Sequence, residues 1–412
     1  MVKKISGTKD ILPQEINLWQ RVEEAARKVF FSYNYSEIRT PIIEEESLFN
    51  RSLGKTAEIV KKQMFLIKAG KDVYALRPEG TASIVRAYIE NDLDKKSKFV
   101  KFYYIGPMFR FERPQRGRLR QFHHIGAEAI GSTVSALDVE IISLADSLLN
   151  AFQITDHKLK INSLGCNKDQ NGLRQLLHKQ LKYKLNKLCD ECKQRYKKNI
   201  LRILDCKNPS CIEICQKLNI GDSNLCFECK KHFADVLEGL DSLNIKYEVT
   251  PYLVRGLDYY TRTVFEISHS SLGAQDALCA GGRYDNLVKE LGGPDIGAIG
   301  FALGVERLLL VYRSSGLPVF NQKLSYIITL GKEAKLKGIK LLNDLRRAGI
   351  PCDTDYEDRS LKGAMRAAND LGVRYVLIIG EDELNKGVVT IKDMQTGEQR
   401  EVKREDLLTN LM

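Results

Sequence analysis

One stretch of the sequence alternates side chains that could bind a small ligand. In the segment 121–130, residues two apart point to the same side of an extended strand. One side carries an aromatic ring, an imidazole, a position without a side chain and a carboxylate, contributed by Phe122, His124, Gly126 and Glu128. These groups offer a stacking surface, space for a ligand and a negatively charged carboxylate. Together they predict the floor of a binding pocket. A solvated basic hairpin is the alternative, because charged runs are often exposed faces.

An arginine-rich loop precedes this strand and is expected to lie above the floor. A strand pattern over 102–110 leads into the loop, which is broken by Pro114 and Gly117. The loop arginines are Arg113, Arg116, Arg118 and Arg120. Guanidinium groups bind phosphates with two parallel hydrogen bonds, so Arg110 and this loop are predicted to clasp phosphates.

A second segment has one face that is almost bare. Gly300, Ala302 and Gly304 share a face of the strand pattern over 297–304, which lets a flat ring approach the backbone. A helix pattern follows at once and places Arg307 in its first turn, beside an N-terminus that favours anions. The alternative is an ordinary strand–helix junction with an exposed arginine.

Cysteines are concentrated in one region of the chain. Seven of the ten lie between Cys189 and Cys229. Two Cys-x-x-Cys pairs suit a tetrahedral four-thiolate zinc site and are formed by Cys189, Cys192, Cys226 and Cys229. The cysteines between the pairs could substitute for them, namely Cys206, Cys211 and Cys215. The prediction is a structural zinc, and reduced thiols in a small helical core are the alternative.

These candidate residues lie in a chain with three compositional blocks. The first, to about residue 163, opens with an amphipathic helix pattern and continues as β-rich segments; the helix pattern is set by Ile16, Trp19, Val22, Ala26 and Val29. Residues 166–235 favour helices, and the β-rich character returns over 247–311. The second block is therefore predicted to be an insertion within one domain rather than a separate domain in series.

The end of the chain has a different pattern. A linker is predicted over 313–323, followed by strands alternating with helices over 324–412. Strands are expected at 326–330, 353–356 and 375–379, and helices at 332–348 and after Ser360. This pattern indicates a small α/β domain with some parallel pairing.

Composition limits the class of protein. The chain has 412 residues, of which 43% are hydrophobic, enough for two or three domains. No secretion signal is expected at the start, and the apolar runs are too short to span a bilayer, so a soluble, cytoplasmic protein is predicted. The 64 Lys and Arg residues exceed the 53 Asp and Glu residues, which fits a polyanionic partner such as nucleic acid.

Several segments, in chain order, resemble the motifs of class II aminoacyl-tRNA synthetases. The hairpin around 109–122 is similar to their motif 2, residues 300–307 to motif 3, and 38–49 to motif 1, the dimer-interface motif. The strings LRPEGT at 76–81, LVRGLDYY at 253–260 and AGGRYD at 280–285 resemble the histidyl-tRNA synthetases among them. Together these similarities cover nearly the whole chain.

The resemblance implies a fold and an activity. The fold is an α+β catalytic domain with a central antiparallel sheet over 1–320, a helical insertion at 166–235, and an α/β anticodon-binding domain over 324–412. The activity is ATP-dependent conversion of L-histidine to histidyl-adenylate, followed by transfer to the 3′ end of tRNA(His). Mg²⁺ is expected with the ATP, and the motif around Pro41 implies a homodimer.

The resemblance also implies roles for individual residues. Histidine is expected to contact Glu79, Gly80, Thr81, Arg110, His124, Glu128, Arg255, Tyr259 and Tyr260. ATP is expected to contact Arg110, Glu112, Arg118, Phe122 and Arg307. The catalytic cations would be Arg255 and Arg110, and Tyr284 would wall the pocket. Gln115 and Arg116 are expected to contact the tRNA acceptor end. The last domain presents further basic residues without assigned roles, namely Lys332, Lys335, Lys337, Lys340, Arg346 and Arg347.

One position departs from the family pattern. His124 stands where the family usually has glutamine, which keeps a second function open: a histidine-binding activator subunit of ATP phosphoribosyltransferase. A plain RNA-binding protein would explain the charge but not the pocket. If His124 accepts a hydrogen bond from the substrate, binding is predicted to weaken below pH ~6.5, and Glu128 would raise that midpoint.

Overall fold

The computed structural model describes residues 2–54, 57, 59–218, 220–314 and 324–411, and the chain divides into two compact units, Met1–Leu317 and Pro318–Met412. The strands described in the first unit are β1 Ser36–Glu37, β2 Ile43–Glu45, β3 Phe65–Ala69, β4 Asp72–Leu76, β5 Val100–Phe109, β6 Gln121–Ile130, β7 Lys158–Ser163, β8 Tyr247–Val249, β9 Thr261–Ser268, β10 Ala277–Arg283 and β11 Ala298–Gly304. Its α-helices are α1 Pro13–Ser32, α2 Glu46–Ser52, α3 Thr81–Glu90, α4 Leu93–Lys96, α5 Ser135–Ala151, α6 Asn167–Leu181, α7 Asp190–Lys198, α8 Pro209–Gln216, α9 Phe227–Ser242, α10 Leu287–Glu290 and α11 Val305–Ser314.

The central sheet of the first unit has the strand order β1-β5-β6-β11-β10-β9-β7-β8. Its six inner strands are antiparallel, which confirms the predicted antiparallel sheet, and the edge strands β1 and β8 pair in parallel. A smaller sheet of order β2-β4-β3 lies outside it. The hairpin of β5 and β6 agrees with the two strand patterns predicted around the arginine loop.

The register of the inner strands assembles one sparsely filled face. Gly126 on β6 pairs with Tyr104 on β5 and with Ala302 on β11. Ala302 in turn pairs with Ala280 on β10, which pairs with Glu266 on β9. Because paired residues share a face, small residues in the middle leave a shallow trough bounded by longer side chains.

The other face of the sheet is covered by helices. The predicted amphipathic helix is α1, and its buried residues recur at helical spacing: Leu18, Trp19, Val22, Ala26 and Phe30. Helix α5 packs against the same core and carries Asp138, which is fully buried between Arg283 and His232. The Arg283 Nε to Asp138 Oδ1 distance is 2.6 Å, so this ion pair joins β10 to the helical layer.

The insertion between β7 and β8 is helical, as predicted, but it extends past residue 235. Helix α9 continues to Ser242 because Val236 and Leu240 are buried in the core beside α5. The β-rich character then resumes at Tyr247.

The second unit contains a five-stranded sheet of order β13-β12-β14-β15-β16. Its elements are β12 Ser325–Thr329, α12 Lys332–Arg347, β13 Cys352–Thr354, α13 Leu361–Asp370, β14 Tyr375–Ile379, α14 Glu381–Lys386, β15 Val388–Asp393, β16 Gln399–Lys403 and α15 Leu407–Leu411. Strand β12 pairs in parallel with β13 and β14, which confirms the predicted α/β pattern. The Ser360 hydroxyl accepts from the Gly363 amide and caps α13. Most of the predicted linker, 315–323, lies outside the described residues.

Among the described helices, none combines the length and apolarity that crossing a bilayer requires.

Candidate active site

A cavity of about 470 Å³ lies over the sparsely filled face of the sheet. Most of the predicted site residues line it: Glu79, Thr81, Arg110, Glu112, Arg118, Phe122, His124, Arg255, Tyr259, Tyr260, Tyr284, Gly300, Ala302, Gly304 and Arg307. The structure therefore brings together side chains separated by more than two hundred residues in the sequence.

Glu128 closes the cavity from beneath without forming its wall. Its side chain is fully buried, and its two oxygens accept hydrogen bonds from Thr81 Oγ1 at 2.7 Å and from Tyr284 Oη at 2.6 Å. Burial raises the pKa of Glu128 to about 8, although both hydrogen bonds oppose the increase. This carboxyl group therefore lies one side chain away from the cavity, behind Thr81 and Tyr284.

The position of the Glu128 carboxyl group leaves no space for a side chain at Gly300 on the neighbouring strand. A Cβ atom at this position would lie 1.8 Å from Glu128 Oε2 and 2.5 Å from the Ala127 carbonyl oxygen. We expect Gly300→Ala to lower the free energy of unfolding by about 1–3 kcal/mol, because a packed core has no room for the added methyl group. Chemical denaturation measures this effect. The control is Gly172→Ala in helix α6, where nothing lies within 4 Å and alanine should add roughly 0.5–1 kcal/mol. Equal stability of the Gly300→Ala variant and the unmodified protein would contradict this close packing.

Glu79 lies at the start of helix α3 and at the cavity wall. Its oxygens accept hydrogen bonds from the backbone amides of Thr81 at 2.7 Å and Ala82 at 2.9 Å. Burial nevertheless raises the pKa of this carboxyl group. A cationic group in the cavity would lower it again, so the geometry suits a ligand ammonium.

Tyr104 fills the gap that the sequence predicts at Gly126. A Cβ atom on Gly126 would lie 2.5 Å from Tyr104 Oη, and one on Gly80 would lie 2.9 Å from the same atom. The two glycines therefore accommodate this ring rather than a ligand, and the prediction of room for a ligand at Gly126 is wrong. Gly80 contacts the ring from below and does not line the described cavity. Tyr104 itself does line the cavity, and the alternation of β6 alone gave no indication of it.

Three arginines converge at the other end of the cavity. Arg110 donates to the Pro78 carbonyl oxygen at 2.9 Å, Arg118 pairs with Glu112 at 2.8 Å, and Arg307 donates to the Gly117 carbonyl oxygen at 3.0 Å. Burial lowers the pKa values of Arg110 and Arg307, and the nearby arginines lower them further. A polyanion would relieve this repulsion, so the cluster is suited to several phosphates.

The rings of Phe122 and His124 form an aromatic floor beside these cations. Their centroids are 5.0 Å apart in an edge-to-face arrangement, and the Arg110 guanidinium lies 5.3 Å from the Phe122 ring centre. A flat ligand ring can stack on such an aromatic face, and the neighbouring guanidinium can attract its π-system.

Arg255 and Glu266 form an ion pair on the cavity wall. Although burial opposes the charge, the Glu266 carboxylate raises the pKa of Arg255. The arginine is thus held as a cation in one orientation. Glu266 comes from β9, and the sequence alone did not single it out.

His124 has a different protonation behaviour from the one expected. Its Nδ1 atom is buried and has no hydrogen-bond partner among the described residues. Burial lowers the pKa of His124 well below 6.5, and Arg110, Arg307 and Arg77 lower it further. The expectation that Glu128 raises this midpoint is therefore wrong, because burial of the ring lowers the pKa most and the surrounding arginines add to the decrease.

For the histidine ligand that the resemblance implies, we therefore expect His124→Gln to leave the pH dependence of KM unchanged, within about twofold between about pH 6 and 8. The imidazole is already neutral in that range, as an amide is. The KM measured across this range in both proteins tests the expectation. A rise that is present in the unmodified protein and absent from the variant would contradict it.

The tip of the arginine loop points away from the cavity. Arg113, Gln115 and Arg116 are exposed, and none of them lines it. Arg120 donates to the carbonyl oxygens of Glu112 at 3.2 Å and Ser6 at 3.1 Å, so it holds the loop to the N-terminal segment. The exposed tip is free to meet a large partner.

The two Cys-x-x-Cys pairs do not meet. Each of two separate clusters has its potential ligand atoms within 4.8 Å of one another. One contains Cys189, Cys192, Cys206 and Cys211, and the other contains Cys166, Asp169, Cys226 and Cys229. The predicted single site from Cys189, Cys192, Cys226 and Cys229 is therefore wrong, because the chain folds each pair against different partners.

The insertion also contributes to the cavity wall, which no pattern in the sequence indicated. The residues concerned are Arg195, Arg202, Asp205 and Lys207. Arg202 donates to the Gly256 carbonyl oxygen at 2.7 Å, so it contacts the segment that carries Arg255.

An antiparallel sheet with a phosphate-binding arginine hairpin, a bare strand and an arginine at the following helix defines a class II aminoacyl-tRNA synthetase. Residues 7–308 match the family described as Histidyl-tRNA synthetase, and residues 325–412 match the Anticodon binding domain. The chain belongs to the histidyl-tRNA synthetase family.

Individual relatives agree over their whole length. The histidine–tRNA ligase of Thermodesulfovibrio yellowstonii is 47% identical over 98% of this chain and 96% of the relative. That of Halothermothrix orenii is 46% identical over 100% of this chain and 98% of the relative. The crystal structure of apo S. aureus histidyl-tRNA synthetase is 35% identical, with a TM-score of 0.83 and full coverage of both chains.

Proposed function

We propose that this chain activates L-histidine with ATP and transfers the histidyl group to the 3′ end of tRNA(His). The observation that carries the proposal is a single cavity with an acidic, tyrosine-lined end and an arginine-rich end. An amino acid and a triphosphate need those two environments next to each other. Full-length relatives at 46–47% identity are histidine–tRNA ligases, which favours this activity over the activator subunit.

The acidic end is proposed to hold histidine. Glu79 and Thr81 would receive the ammonium group. Tyr260 and Glu128 would hydrogen-bond the two imidazole nitrogens, and Glu128 would do so by exchanging one of its hydrogen bonds, from Thr81 or Tyr284, for one from the ring. Contact with both nitrogens rejects rings that cannot bond at both ends. Tyr259 packs against the rings of Tyr260 and Tyr284, at 4.7 and 5.7 Å between centroids, and would hold the wall in place. His124 completes the proposed set, and Gly80 would contribute indirectly by making room for the Tyr104 ring.

The arginine-rich end is proposed to hold ATP. Phe122 would stack on adenine, and Arg110 would contact the α-phosphate. Arg118 and Arg307 would reach the outer phosphates. Mg²⁺ binds carboxylate and phosphate oxygens, and Glu112 is a carboxylate on the cavity wall beside these arginines that would hold it when it accompanies ATP.

The first reaction is an in-line attack of the histidine carboxylate on the α-phosphorus, with pyrophosphate as the leaving group. Negative charge is redistributed over the phosphate oxygens in the transition state, and fixed cations stabilise it. Arg255, held by Glu266, and Arg110 are proposed to supply that stabilisation.

The second reaction needs tRNA. Gln115 and Arg116 on the exposed loop tip are proposed to meet the acceptor end, and the second unit is proposed to bind the anticodon. We propose the cytoplasm as the compartment, because none of the ten cysteines forms a disulfide, which suits a reducing environment.

Pyrophosphate exchange tests this function. Labelled pyrophosphate should enter ATP only when histidine is present, and labelled histidine should become attached to tRNA(His). Histidine binding without exchange would instead support the activator subunit, and tRNA binding without histidine binding would support a plain RNA-binding protein.

We also expect a homodimer. The segment after Pro41 exposes apolar side chains, namely Ile42 at 40% just before the small sheet and Ile43 at 50% on β2, and Leu66 on β3 is 48% exposed. Exposed apolar patches often mark subunit interfaces, and two-fold pairs are the commonest oligomers. Light scattering should report twice the 46.8 kDa chain mass. An active protein that remains monomeric at micromolar concentration would contradict the expectation.

A further inference from the structure

Four cysteines in the insertion converge from three separate stretches of the chain. Cys189 and Cys192 flank the start of helix α7, Cys206 precedes α8, and Cys211 lies in the first turn of α8. Three of them are buried, with exposed fractions of 0% for Cys192, 8% for Cys206 and 0% for Cys211. We propose that these four cysteines bind one zinc ion, which holds the insertion's wall of the cavity in place.

The spacing of the sulfur atoms fits this metal. All four lie within 4.8 Å of one another, and the Sγ atoms of Cys189 and Cys206 are 3.8 Å apart. A tetrahedron with zinc–sulfur bonds of about 2.3 Å has edges of about 3.8 Å. Two packed thiols can also lie this far apart, so the feature that favours a metal is the convergence of four sulfur atoms within 4.8 Å of one another.

The surroundings favour thiolates. The Cys189 amide donates to Cys211 Sγ at 3.3 Å, and the Asn208 amide donates to Cys206 Sγ at 3.4 Å. The N-termini of α7 and α8 both face the cluster and favour negative charge. The segment 182–207 also has nine Lys or Arg residues against three Asp or Glu residues, which offsets a dianionic zinc tetrathiolate.

Without a cation, the members of the cluster differ in how readily they ionise. Burial raises the pKa values of Cys192 and Cys211, so these thiols retain their protons in the empty cluster, whereas hydrogen bonds from the Cys192 amide and the neighbouring thiols lower the pKa of Cys189 despite burial. Zinc binds thiolates strongly enough to displace these protons, and its binding then stabilises the fold that brings the ligands together.

The second cluster is already satisfied without a metal. Its Asp169 carboxylate accepts hydrogen bonds from the backbone amides of Cys226 at 3.0 Å and Cys166 at 3.3 Å. The thiols of Cys229 and Cys226 add hydrogen bonds that lower the pKa of Asp169 despite its burial. We therefore assign no metal to this cluster, which gives the experiment a matched control.

The proposed zinc lies at the base of a segment that contacts the active site. Residues 193–205 connect Cys192 to Cys206. Within them, Asn199 Nδ2 donates to Asp258 Oδ1 at 2.8 Å, and Arg202 donates to the Gly256 carbonyl oxygen at 2.7 Å. Arg195 supports Arg202 by donating to its carbonyl oxygen at 3.0 Å. Fixing both ends of the segment therefore fixes the loop that carries Arg255.

Metal analysis of the full-length protein tests the ligand set. After incubation with zinc chloride and gel filtration, we expect about one zinc per chain. Cys206→Ser and Cys211→Ser should retain less than about a tenth of that amount, whereas Cys229→Ser and Cys215→Ser should retain all of it. No zinc in the unmodified protein would overturn the proposal, and so would loss of zinc in Cys229→Ser with retention in Cys206→Ser.

Cobalt provides a measurement that needs no variant. The unmodified protein, stripped with chelator and refilled with Co²⁺, should show the intense visible bands of tetrahedral cobalt bound by thiolates. The weak bands of an octahedral, oxygen-bound cobalt would contradict a four-sulfur site.

Hydrogen exchange tests the positioning role. Chelation should speed amide exchange roughly tenfold or more in 193–205 and 255–260 and leave 121–130 unchanged. If zinc is present but its removal leaves both segments protected, the metal does not hold the cavity wall. Neither the metal analysis nor the hydrogen-exchange result depends on the proposed reaction. Both therefore remain interpretable if the protein shows no pyrophosphate exchange.

Discussion

Arg255→Gln is expected to lower the rate of histidyl-adenylate formation roughly a thousandfold, with much smaller changes in the KM values for ATP and histidine. Arg255 is partly buried on the cavity wall, and its ion pair with Glu266 fixes its orientation. A fixed cation acts most strongly on charge that develops in the transition state, so its loss lowers kcat more than it raises KM. Single-turnover adenylate formation measures this step directly.

The main complication is the partner that this substitution leaves behind. Glu266 would become an unpaired, partly buried carboxylate facing the phosphates, and its repulsion could itself reduce the rate. The double variant Arg255→Gln/Glu266→Gln removes both charges. If the missing cation is the cause, the double variant stays as slow as the single one. A double variant restored to within tenfold of the unmodified rate would show that the stray carboxylate was responsible.

A surface arginine provides the matched control. Arg27 lies on helix α1 with 38% of its side chain exposed and pairs weakly with Glu23 and Glu37, each at 3.5 Å. Arg27→Gln removes one positive charge far from the phosphate-binding residues, so its rate should stay within about twofold of the unmodified protein.

The sequence predicts those parts of this site that depend on local periodicity. The alternation along β6 placed Phe122 and His124 on one face, and the first turn of α11 placed Arg307 beside the loop. Both follow from the fixed geometry of a strand and a helix. Glu128 shares that face, but whether it touches a ligand or lies behind Thr81 depends on a side chain from another segment.

The features that sequence reasoning missed all depend on contacts between distant segments. Tyr104 occupies the space over Gly126 because β5 and β6 pair in one particular register. The cysteine pairs separate because cysteines far apart in the chain complete each cluster. The pKa of His124 is low because other segments bury its ring and also bring three arginines close to it. Spacing along the chain carries no information about such encounters.

Histidine binding near pH 7 is expected to release about one proton from Glu128. Its pKa of about 8 means that the buried carboxyl group is mostly protonated in the empty protein. If it accepts a hydrogen bond from the substrate imidazole, it has to lose that proton on binding. The affinity for histidine with a neutral side chain should therefore increase as the pH rises towards 8, by up to about tenfold for each pH unit.

Calorimetry in two buffers with different ionisation enthalpies counts the released protons. Glu128→Gln keeps the shape of the side chain but has no proton to lose, so this contribution should disappear. Its affinity should fall by roughly ten- to a hundredfold, because a neutral amide is a weaker acceptor than a carboxylate. The release from the ligand's own titration is common to both proteins and cancels in the comparison.

The same proton affects folding, independently of histidine. The pKa of Glu128 is higher in the folded protein, about 8, than the ordinary value of 4.5. Its contribution to stability is therefore complete below pH 4.5 and is lost as the pH rises through about 8. Glu128→Gln lacks this dependence, so its stability relative to the unmodified protein should rise by roughly 1.4 kcal/mol per pH unit across that window.

If this gain is absent, the carboxyl group is already ionised in the empty protein. If the gain is present without proton release on binding, Glu128 keeps its proton and donates a hydrogen bond to the imidazole, which would reverse its proposed role.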